Sequence, residues 1–561
     1  MTSRREFLQA LGVTAALMPG HSLRAFAQQQ LTQDQLLRLG PPVGNVTLVH
    51  LTDLHAQLKP LYFREPSVNL GVGEARGQLP HVSGQALLDA FKIPAGSAFA
   101  YALSSEDFAA LAKDYGRLGG LDRVATVLKH IRAERTGRTL FLDGGDTWQN
   151  SYTSLVSKGQ DMVDCMALLK PDAMTGHWEF TLGAERVKAI TDKLGFAFLA
   201  QNVRDTEWNE PAFPPMAVFE RGGIRIAVIG QAFPYTPIAN PRWMIPNWSF
   251  GIREEDLQGN VNKARAQGAQ LVVLLSHNGF DVDRKLAARV RGIDVILTGH
   301  SHDVLPVTVT VGQTVLIASG SHGKFVSFLD LDVGSDGVRG FNHRTIPIFA
   351  EAIAPDTEMA RTITAVRAPH EAILAEVVGR TEALLYRRGN FNGTLDDVIC
   401  EALIVERDAE IALSPGFRWG GSLIPGQDIT REDIYNATAL SYPAAYRMTM
   451  SGARLKDILE DVADNLFNPD PYYQQGGDMV RVGGLSYTID VGAGAGRRIS
   501  ELTSLRTGQP LEAGKDYVVT GWASVNEGTE GPPIWDVVTR HVQNQRIVAP
   551  RETGRVRVVG A

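Results

Sequence analysis

Five short segments rich in histidine and aspartate most constrain what this chain can fold into. They are Asp53-Leu54-His55, Gly144-Gly145-Asp146-Thr147, Gly176-His177-Trp178-Glu179, Ser276-His277-Asn278-Gly279 and Gly299-His300-Ser301-His302. Several of them follow β-rich runs, such as residues 139–142 and 294–297, so their side chains are expected at the carboxyl ends of neighbouring strands. A single Asp-x-His pair is usually a solvated loop. Five such segments in order predict a two-metal site.

The order and spacing of these segments resemble the metallophosphoesterase superfamily, and the 5'-nucleotidase branch within it, over nearly the whole mature chain. The resemblance implies seven metal ligands, in two sets that share one bridging carboxylate. The first set is Asp53, His55 and His302, the second is His177, His277 and His300, and the bridge is Asp146.

Elementary electrostatics supports such a bridge. Two divalent cations about 3.5–4 Å apart repel each other, so a shared anion is needed between them, and the pair then activates a water and stabilises a transferring oxyanion. Imidazole with carboxylate suits Mn, Fe or Zn, and no cysteine lies in any of the five segments. The residues alone do not choose among these metals.

The third segment departs from the family pattern. Nucleotidases have Gly-Asn-His-Glu there, in which Asn binds metal and His assists the substrate as an acid, whereas this chain has His177 and Trp178 at those two places. An indole is not a general acid. An alkoxide leaving group benefits from an acid, but a thiolate, with an ordinary pKa near 8.5, departs unprotonated. The change therefore favours a sulfur leaving group, although Trp178 is also compatible with a simple buried aromatic.

The stretch Gly176-His177-Trp178-Glu179-Phe180-Thr181, with a long insertion between His55 and Tyr115, resembles the SoxB family of di-manganese sulfohydrolases. This resemblance implies two divalent metal ions, manganese in that family. It also implies a partner, the SoxYZ carrier protein, whose C-terminal arm bears a cysteine-linked S-thiosulfonate. Hydrolysis of that group would release sulfate and leave the carrier as a persulfide.

Two further features are candidates for substrate binding. Arg418 falls in the segment that corresponds to a substrate-binding arginine of the nucleotidases, where it is suited to pair with a sulfonate; a surface salt bridge is an equally good interpretation. The tract from Tyr472 to Gly477 is suited to line a channel for an extended peptide arm, although a plain surface loop is the preferred interpretation.

The N-terminus predicts export. Ser3-Arg4-Arg5-Glu6-Phe7-Leu8 matches a twin-arginine signal, and it is followed by an apolar run and by Ala25-Phe26-Ala27 as a cleavage pattern. We therefore expect residues 1–27 to be a signal peptide and the mature protein to reside in the periplasm. The resemblance to this signal class implies transport of the folded protein, so the metals could be inserted in the cytoplasm before translocation.

Composition excludes two classes of partner. The net charge of −7 over 561 residues provides no basic stripe for nucleic acid, and no apolar run beyond the signal reaches membrane-spanning length. Only Cys165 and Cys400 occur, so there is no disulfide framework. We expect both to be buried thiols, with a single bridge between them as the alternative.

The sequence pattern predicts five buried strands that alternate with helices such as residues 121–134. This alternation indicates an α/β fold. These strands are residues 46–52, 139–142, 225–230, 270–275 and 294–297. Together with the resemblance, they imply a metallophosphoesterase-like αββα sandwich over residues 28–354, a helical linker over 355–377, and a 5'-nucleotidase-type α/β domain over 378–561.

Three functions are compatible with these sequence features. The first is the carrier sulfohydrolase, the second is a periplasmic 5'-nucleotidase or UDP-sugar hydrolase, and the third is a metal-bearing binding protein without turnover. Retention of every ligand argues against the third function. Trp178 in place of the catalytic histidine argues against the second.

Overall fold

The computed structural model describes residues 31–391, 393–550 and 555–560, so the expected signal peptide, residues 1–27, lies outside the described residues. The N-terminal half is built on two six-stranded sheets. In the first sheet the spatial order of the strands is Gly337–Pro347, Phe325–Gly334, Val46–Leu51, Thr139–Asp143, Ala173–Met174 and Ala197–Phe198. The last four strands run parallel to one another, so their carboxyl ends lie along one edge.

The second sheet has the same number of strands and a central parallel set. Its order is Val309–Val311, Thr314–Ala318, Val295–Thr298, Leu271–Ser276, Ile224–Gln231 and Met216–Arg221. The pairs among the four central strands are parallel.

Alternation of side chains along the strands creates a layered core. Leu48 and Leu140 belong to a cluster shared by both sheets, whereas the next residues along the strands, Val49 and Phe141, pack with helices on the outer face. The outer face of the second sheet is covered in the same way by residues such as Leu257. Period-two alternation in strands with both faces buried therefore produces the αββα sandwich.

Helices cover the outer faces of the two sheets and also form part of the insertion between His55 and Tyr115. In the N-terminal half they are Gln33–Leu37, Gly84–Phe91, Ala98–Leu103, Phe108–Tyr115, Leu121–Glu134, Tyr152–Ser157, Gln160–Leu169, Ala184–Thr191, Thr236–Ala239, Glu254–Ala266 and Phe280–Arg289. Short 3-10 helices occur at Gly73–Ala75, Trp178–Leu182 and Arg242–Met244, and Arg204–Asp205 pairs with Trp248–Ser249. No helix among the described residues is both long enough and apolar enough to cross a membrane.

The stretch expected to be a helical linker forms two helices instead of one. They span Thr357–Arg367 and Glu371–Leu374. Pro369 lies between them, and its ring nitrogen has no N–H to donate, so a continuous helix through this point would lose a hydrogen bond. The limits of the linker and of the two domains on either side of it stay predictions.

The C-terminal half is a second α/β region with smaller sheets. A four-stranded sheet has the order Tyr446–Ser451, Asp516–Gly521, Ile411–Gly416 and Asp478–Gly483. Two three-stranded sheets have the orders Asp428–Thr430, Val377–Thr381, Ile547–Val548 and Ile499–Ser504, Leu485–Asp490, Val556–Val559. The helices are Thr394–Arg407, Arg431–Thr438, Gly452–Phe467 and Ile534–Gln545, with a 3-10 turn at Pro471–Tyr473.

The expected α/β class and the five strands are confirmed, each strand within about two residues at its ends. The predicted helix over residues 121–134 is observed as Leu121–Glu134. Cys165 and Cys400 are both buried and free, so the alternative of a bridge between them is wrong.

Candidate metal centre

The seven predicted ligands all follow carboxyl ends of parallel strands. In the first sheet, Asp53 and His55 follow Val46–Leu51, Asp146 follows Thr139–Asp143, and His177 follows Ala173–Met174. In the second sheet, His277 follows Leu271–Ser276, and His300 and His302 follow Val295–Thr298. Because these two edges meet, residues far apart in the sequence lie in one buried site.

The side chains form two groups that share one carboxylate. Each group brings its ligand atoms within 4.8 Å of one another, and the groups are Asp146, His177, His277, His300 and Asp53, His55, Asp146, His302. These are the same two sets that the family resemblance implies. Asp146 is the common member, as a bridging carboxylate requires.

The distances around Asp146 are short. Its Oδ2 lies 3.0 Å from Nε2 of His277, 3.2 Å from Nδ1 of His177 and 3.6 Å from Nε2 of His55. Asp53 occupies the other side, with Oδ1 3.3 Å from Nε2 of His302. One carboxylate therefore contacts imidazoles of both groups.

The backbone at the site adopts an uncommon conformation. Asp53, His55, Asp146, His300 and His302 all have positive φ, between 48° and 73°. Residues other than glycine rarely occupy this region, and such strain concentrates at functional sites. The turns after the strands thereby aim consecutive ligands into one space.

The donor set fits two divalent cations. Among the described residues, histidines are the only ion-pairing partners of Asp53 and Asp146, so no lysine or arginine neutralises these two buried carboxylates. Nε2 of His55 and Nε2 of His302 face each other at 2.9 Å. Converging imidazoles and carboxylates without thiolates suit a borderline metal such as Mn, Fe or Zn.

Electrostatics keeps most of these imidazoles neutral. Burial lowers the pKa of four ligands, which are His55, His177, His300 and His302. Burial also opposes a charge on His277, but the carboxylates of Asp146 and Asp53 raise its pKa to about 10. Burial acts to raise the pKa of Asp146, whereas His177 and His277 hold it well below its usual range. Neutral imidazole and ionised carboxylate are the forms that bind metal.

Glu179 holds two of the ligand loops together, a role that sequence reasoning did not assign to it. The fully buried carboxylate accepts backbone hydrogen bonds from His177 and Asp146 at Oε2, and from Thr147 and Trp148 at Oε1. The signal available in the sequence was its place, two residues after a predicted ligand. Such outer contacts orient ligands and are part of a metal site.

Two backbone carbonyls orient imidazoles from outside the groups. Nδ1 of His277 lies 2.6 Å from the carbonyl oxygen of Gly144, and Nε2 of His300 lies 3.1 Å from that of Gln475. A carbonyl only accepts, so in each ring the nitrogen that contacts it bears the hydrogen. The opposite nitrogen of each ring is then the one available to a metal.

Trp178 lies beside the centre and not among the ligands. Its backbone N–H donates to Oδ1 of Asp146 at 2.7 Å. Its ring packs edge-on against Trp419, 4.6 Å away, and against Phe417, 5.3 Å away. Phe417 and Trp419 stack on each other at 3.9 Å. The indole therefore belongs to an aromatic wall contributed mainly by the C-terminal half, and no sequence signal had indicated Phe417 or Trp419.

Arg418 lies near the centre, mostly buried, and its guanidinium joins two loops. It donates to the carbonyl oxygen of Ser301 at 3.1 Å and to that of Gly477 at 2.6 Å. Its Nε lies 3.7 Å from Asp478. The structure thus places Arg418 at the site and not in a surface salt bridge; contact with a sulfonate stays a prediction.

A cavity of about 830 Å³ opens beside the ligands and is lined by both halves of the chain. Asp146, His177, His300 and His302 face it together with the aromatic wall and Arg418. Within the tract from Tyr472 to Gly477, only residues 475–477 line this cavity. Tyr472 instead donates from its hydroxyl to Glu254, so the tract divides into a packed part and a cavity-lining part.

Known proteins are similar to this chain in sequence and in fold. A sulfate thiohydrolase SoxB from Thermus thermophilus, solved in complex with glycerol, is 36% identical, superposes with a TM-score of 0.90, and the match covers 93% of this chain and 98% of that one. Residues 377–539 match the model of the 5'-nucleotidase C-terminal domain.

More distant relatives share the same organisation. A 5'-nucleotidase precursor from Thermus thermophilus has the same fold, with 23% identity, a TM-score of 0.73, and coverage of 92% of this chain and 100% of that one. The 5'-nucleotidase of Mus musculus is 24% identical over 511 residues, which is 79% of this chain and 86% of the mouse protein.

The fold and the two His/Asp groups define a metal-dependent hydrolase of the 5'-nucleotidase superfamily. Within that superfamily, the extent and identity of the match to the Thermus enzyme are decisive. The chain belongs to the SoxB family.

Proposed function

We propose that the protein hydrolyses a cysteine-linked S-thiosulfonate on a SoxYZ carrier protein, releasing sulfate and leaving a persulfide. The observation that carries this proposal is the indole of Trp178, which lines the cavity beside His177 and His300 where nucleotidases have their catalytic histidine. The Thermus relative is named a sulfate thiohydrolase, which supports the same class of reaction.

The cavity offers little acid to a leaving group. Apart from the predicted ligands, its titratable lining residues are Arg418, Tyr446, Arg454, Asp461 and Asp478. Burial raises the pKa of Tyr446 to about 12, and Asp478 pairs with Arg481 at 3.2 Å. Arg454 and Asp461 lie on the helix Gly452–Phe467. A persulfide anion, like a thiolate, leaves without a proton, so it suits this site better than an alkoxide does.

The proposed reaction breaks one sulfur–sulfur bond. Water attacks the sulfonate sulfur, the bond to the adjacent sulfane sulfur breaks, and its electron pair remains on the carrier as a persulfide. Sulfate carries the oxygen of the water, and the protons of that water pass to solvent. Two divalent cations in the two groups would lower the pKa of the water and stabilise the oxyanion.

The chain's own residues have distinct parts in this scheme. Asp146 contributes the negative charge shared by both groups. Glu179 fixes the loops that present Asp146 and His177. The wall formed by Trp178 and Trp419 excludes bulk water from one side of the site. Exclusion of water strengthens every electrostatic interaction inside.

We further propose manganese as the metal and the periplasm as the location. The proposal of manganese is supported by the likeness to the SoxB family together with a donor set compatible with Mn. The location follows from the twin-arginine motif around Arg4 and Arg5. Changing both arginines to lysine is expected to keep the unprocessed protein in the cytoplasm, as fractionation and immunoblotting would show; unchanged export would refute the route.

The function is tested with purified, manganese-loaded protein and a carrier whose cysteine bears a thiosulfonate. We expect sulfate, measured by ion chromatography, together with a carrier persulfide found by mass spectrometry. A chelated sample and an Asp146→Asn variant serve as inactive controls. Sulfate release that is no faster than in these controls would refute the proposal.

The second candidate function is that of a 5'-nucleotidase, because the match to the mouse enzyme covers most of the chain. AMP and UDP-glucose are assayed in parallel at equal metal content. Rapid phosphate release from AMP without sulfate release from the carrier would establish the nucleotidase. Inactivity toward all three substrates, with metals bound, would favour the metal-bearing binding protein.

A further inference from the structure

His300 is held from outside its own half of the chain. Its Nε2 contacts the carbonyl oxygen of Gln475, which belongs to the C-terminal half. That nitrogen therefore bears the hydrogen, and Nδ1 keeps the lone pair that a metal needs. The C-terminal half thus selects the tautomer and the orientation of one predicted ligand.

The neighbouring residue, Gly476, leaves room for the same ring. A Cβ at this position would lie 2.4 Å from Nε2 of His300 and 3.0 Å from its Cδ2. Such distances are shorter than van der Waals contact, so the ring or the backbone would have to move. Phe233 stacks on the ring at 4.2 Å, which restricts retreat of the ring on that side. Glycine is therefore required here by the ligand as well as by its φ of +76°.

Arg418 ties this backbone to the loop that bears His300. One end of the guanidinium donates to the carbonyl oxygen of Ser301, the residue after His300, and the other end donates to that of Gly477. One side chain thereby joins the two loops. The contact between Gln475 and His300 is part of this joined structure and not an isolated contact.

The geometry points to Gln475 and Gly476, here called the strap, as the positioning element of one metal position. The carbonyl of Gln475 orients His300, and Gly476 provides the clearance. The affected position is the group of Asp146, His177, His277 and His300; the strap makes no such contact with His55 or His302. This inference rests on the two-metal part of the proposed function and is independent of the substrate. It follows that the C-terminal half contributes to metal binding as well as to the substrate cavity.

Two glycine substitutions separate this role from backbone strain. Gly477→Ala is the matched control for Gly476→Ala, because Gly477 has a similar φ of +81° but its added Cβ would meet only the carbonyl oxygen of Gly416, at 3.7 Å. Both variants bear the same cost of a left-handed alanine. Only Gly476→Ala places a methyl group against His300.

The experiment titrates full-length, metal-free protein with Mn²⁺ by calorimetry and counts bound metal by elemental analysis. We expect two ions per chain in the wild type and in Gly477→Ala. In Gly476→Ala we expect one ion to bind as before and the other to bind about 10–100-fold more weakly, the usual effect of losing an outer contact. Electron paramagnetic resonance should then change from a coupled pair to a mononuclear Mn²⁺ spectrum.

A third variant, Gln475→Ala, keeps the carbonyl and should bind both ions as the wild type does. Equal affinity of Gly476→Ala and wild type for both ions would overturn the inference, and so would an equal loss in Gly477→Ala. A weakened site in Gln475→Ala would also overturn it, because the side chain and not the carbonyl would then be responsible. Fewer than two ions in the wild type would overturn the two-metal site itself and the proposed function with it.

Discussion

Glu179→Gln isolates the contribution of one buried carboxylate to the metal centre. Glu179 accepts four backbone hydrogen bonds, two at each oxygen. Oε1 receives the N–H groups of Thr147, at 2.6 Å, and Trp148, at 3.3 Å. Oε2 receives those of His177, at 2.8 Å, and Asp146, at 3.3 Å. Glutamine keeps one of these oxygens and places an amide NH₂ against the other two donors.

The expected magnitude follows from these contacts. Two buried N–H groups lose their acceptor, at about 1–3 kcal/mol each. Loss of an outer contact typically weakens metal binding by about 10–100-fold, which corresponds to about 1.4–2.8 kcal/mol. The lost hydrogen bonds cost folding about 2–6 kcal/mol in total, whereas the lost outer contact acts on metal affinity. We therefore expect Glu179→Gln to weaken Mn²⁺ binding by about 10–100-fold and to lower the free energy of unfolding.

The assay is calorimetric titration of the metal-free variant, with circular dichroism to check the fold. Glu185→Gln is the matched control, since it removes the same charge from an exposed position on the adjacent helix Ala184–Thr191. Wild-type affinity in Glu179→Gln would refute the reasoning. Equal weakening in Glu185→Gln would assign the effect to net charge and not to the four hydrogen bonds.

Three further experiments, with four variants, test other parts of the site and the fold. Asp146→Ala should empty both metal positions and abolish turnover, whereas His302→Ala should weaken one position only; elemental analysis distinguishes these outcomes, and two ions retained in Asp146→Ala would contradict the bridging role. Trp178→His with Thr181→Asp should gain phosphatase activity on p-nitrophenyl phosphate, since acid assistance is worth about 10²–10⁴-fold, and should lose sulfate release; no gain together with full sulfate release would show that Trp178 only packs. Burial lowers the pKa of His343 to about 3, below its unfolded value of about 6.5, so its contribution to stability is present above about pH 6.5 and is lost as the pH falls toward 3. The difference between the free energies of unfolding of wild type and His343→Gln should therefore narrow by up to about 2 kcal/mol from about pH 7 to about pH 5. A difference that stays constant over this pH range would contradict the prediction.

The strands and the ligand motifs were predictable because their signals are local. An apolar run ending in a small residue and a ligand, as in Thr139–Asp143 before Asp146, specifies both a buried strand and the position of the turn after it. The break at Pro369 was equally local and could have been predicted from the ring nitrogen of proline. The residues on both sides of Pro369 have a helical pattern, so the stretch was predicted as one helical linker.

The residues that support the site were not predictable in the same way. Gln475 lies 175 positions from His300, and nothing in the tripeptide Gln475-Gly476-Gly477 distinguishes a ligand support from a surface turn. Phe417 and Trp419 resemble ordinary core aromatics until Trp178 is placed beside them. Glu179 lies within the third ligand segment, but its four hydrogen bonds depend on the turn that follows another strand.

The sequence by itself determined the α/β class and the kinds of atoms in the metal centre, because strand periodicity and ligand chemistry are properties of neighbouring residues. The αββα arrangement of the sheets was implied by the family resemblance. Only the tertiary structure decided which nitrogen of His300 faces the metal, and that Arg418 joins two loops. These outcomes depend on how the C-terminal half docks against the sandwich. That docking is the sum of many weak contacts between distant segments, and no single segment encodes it.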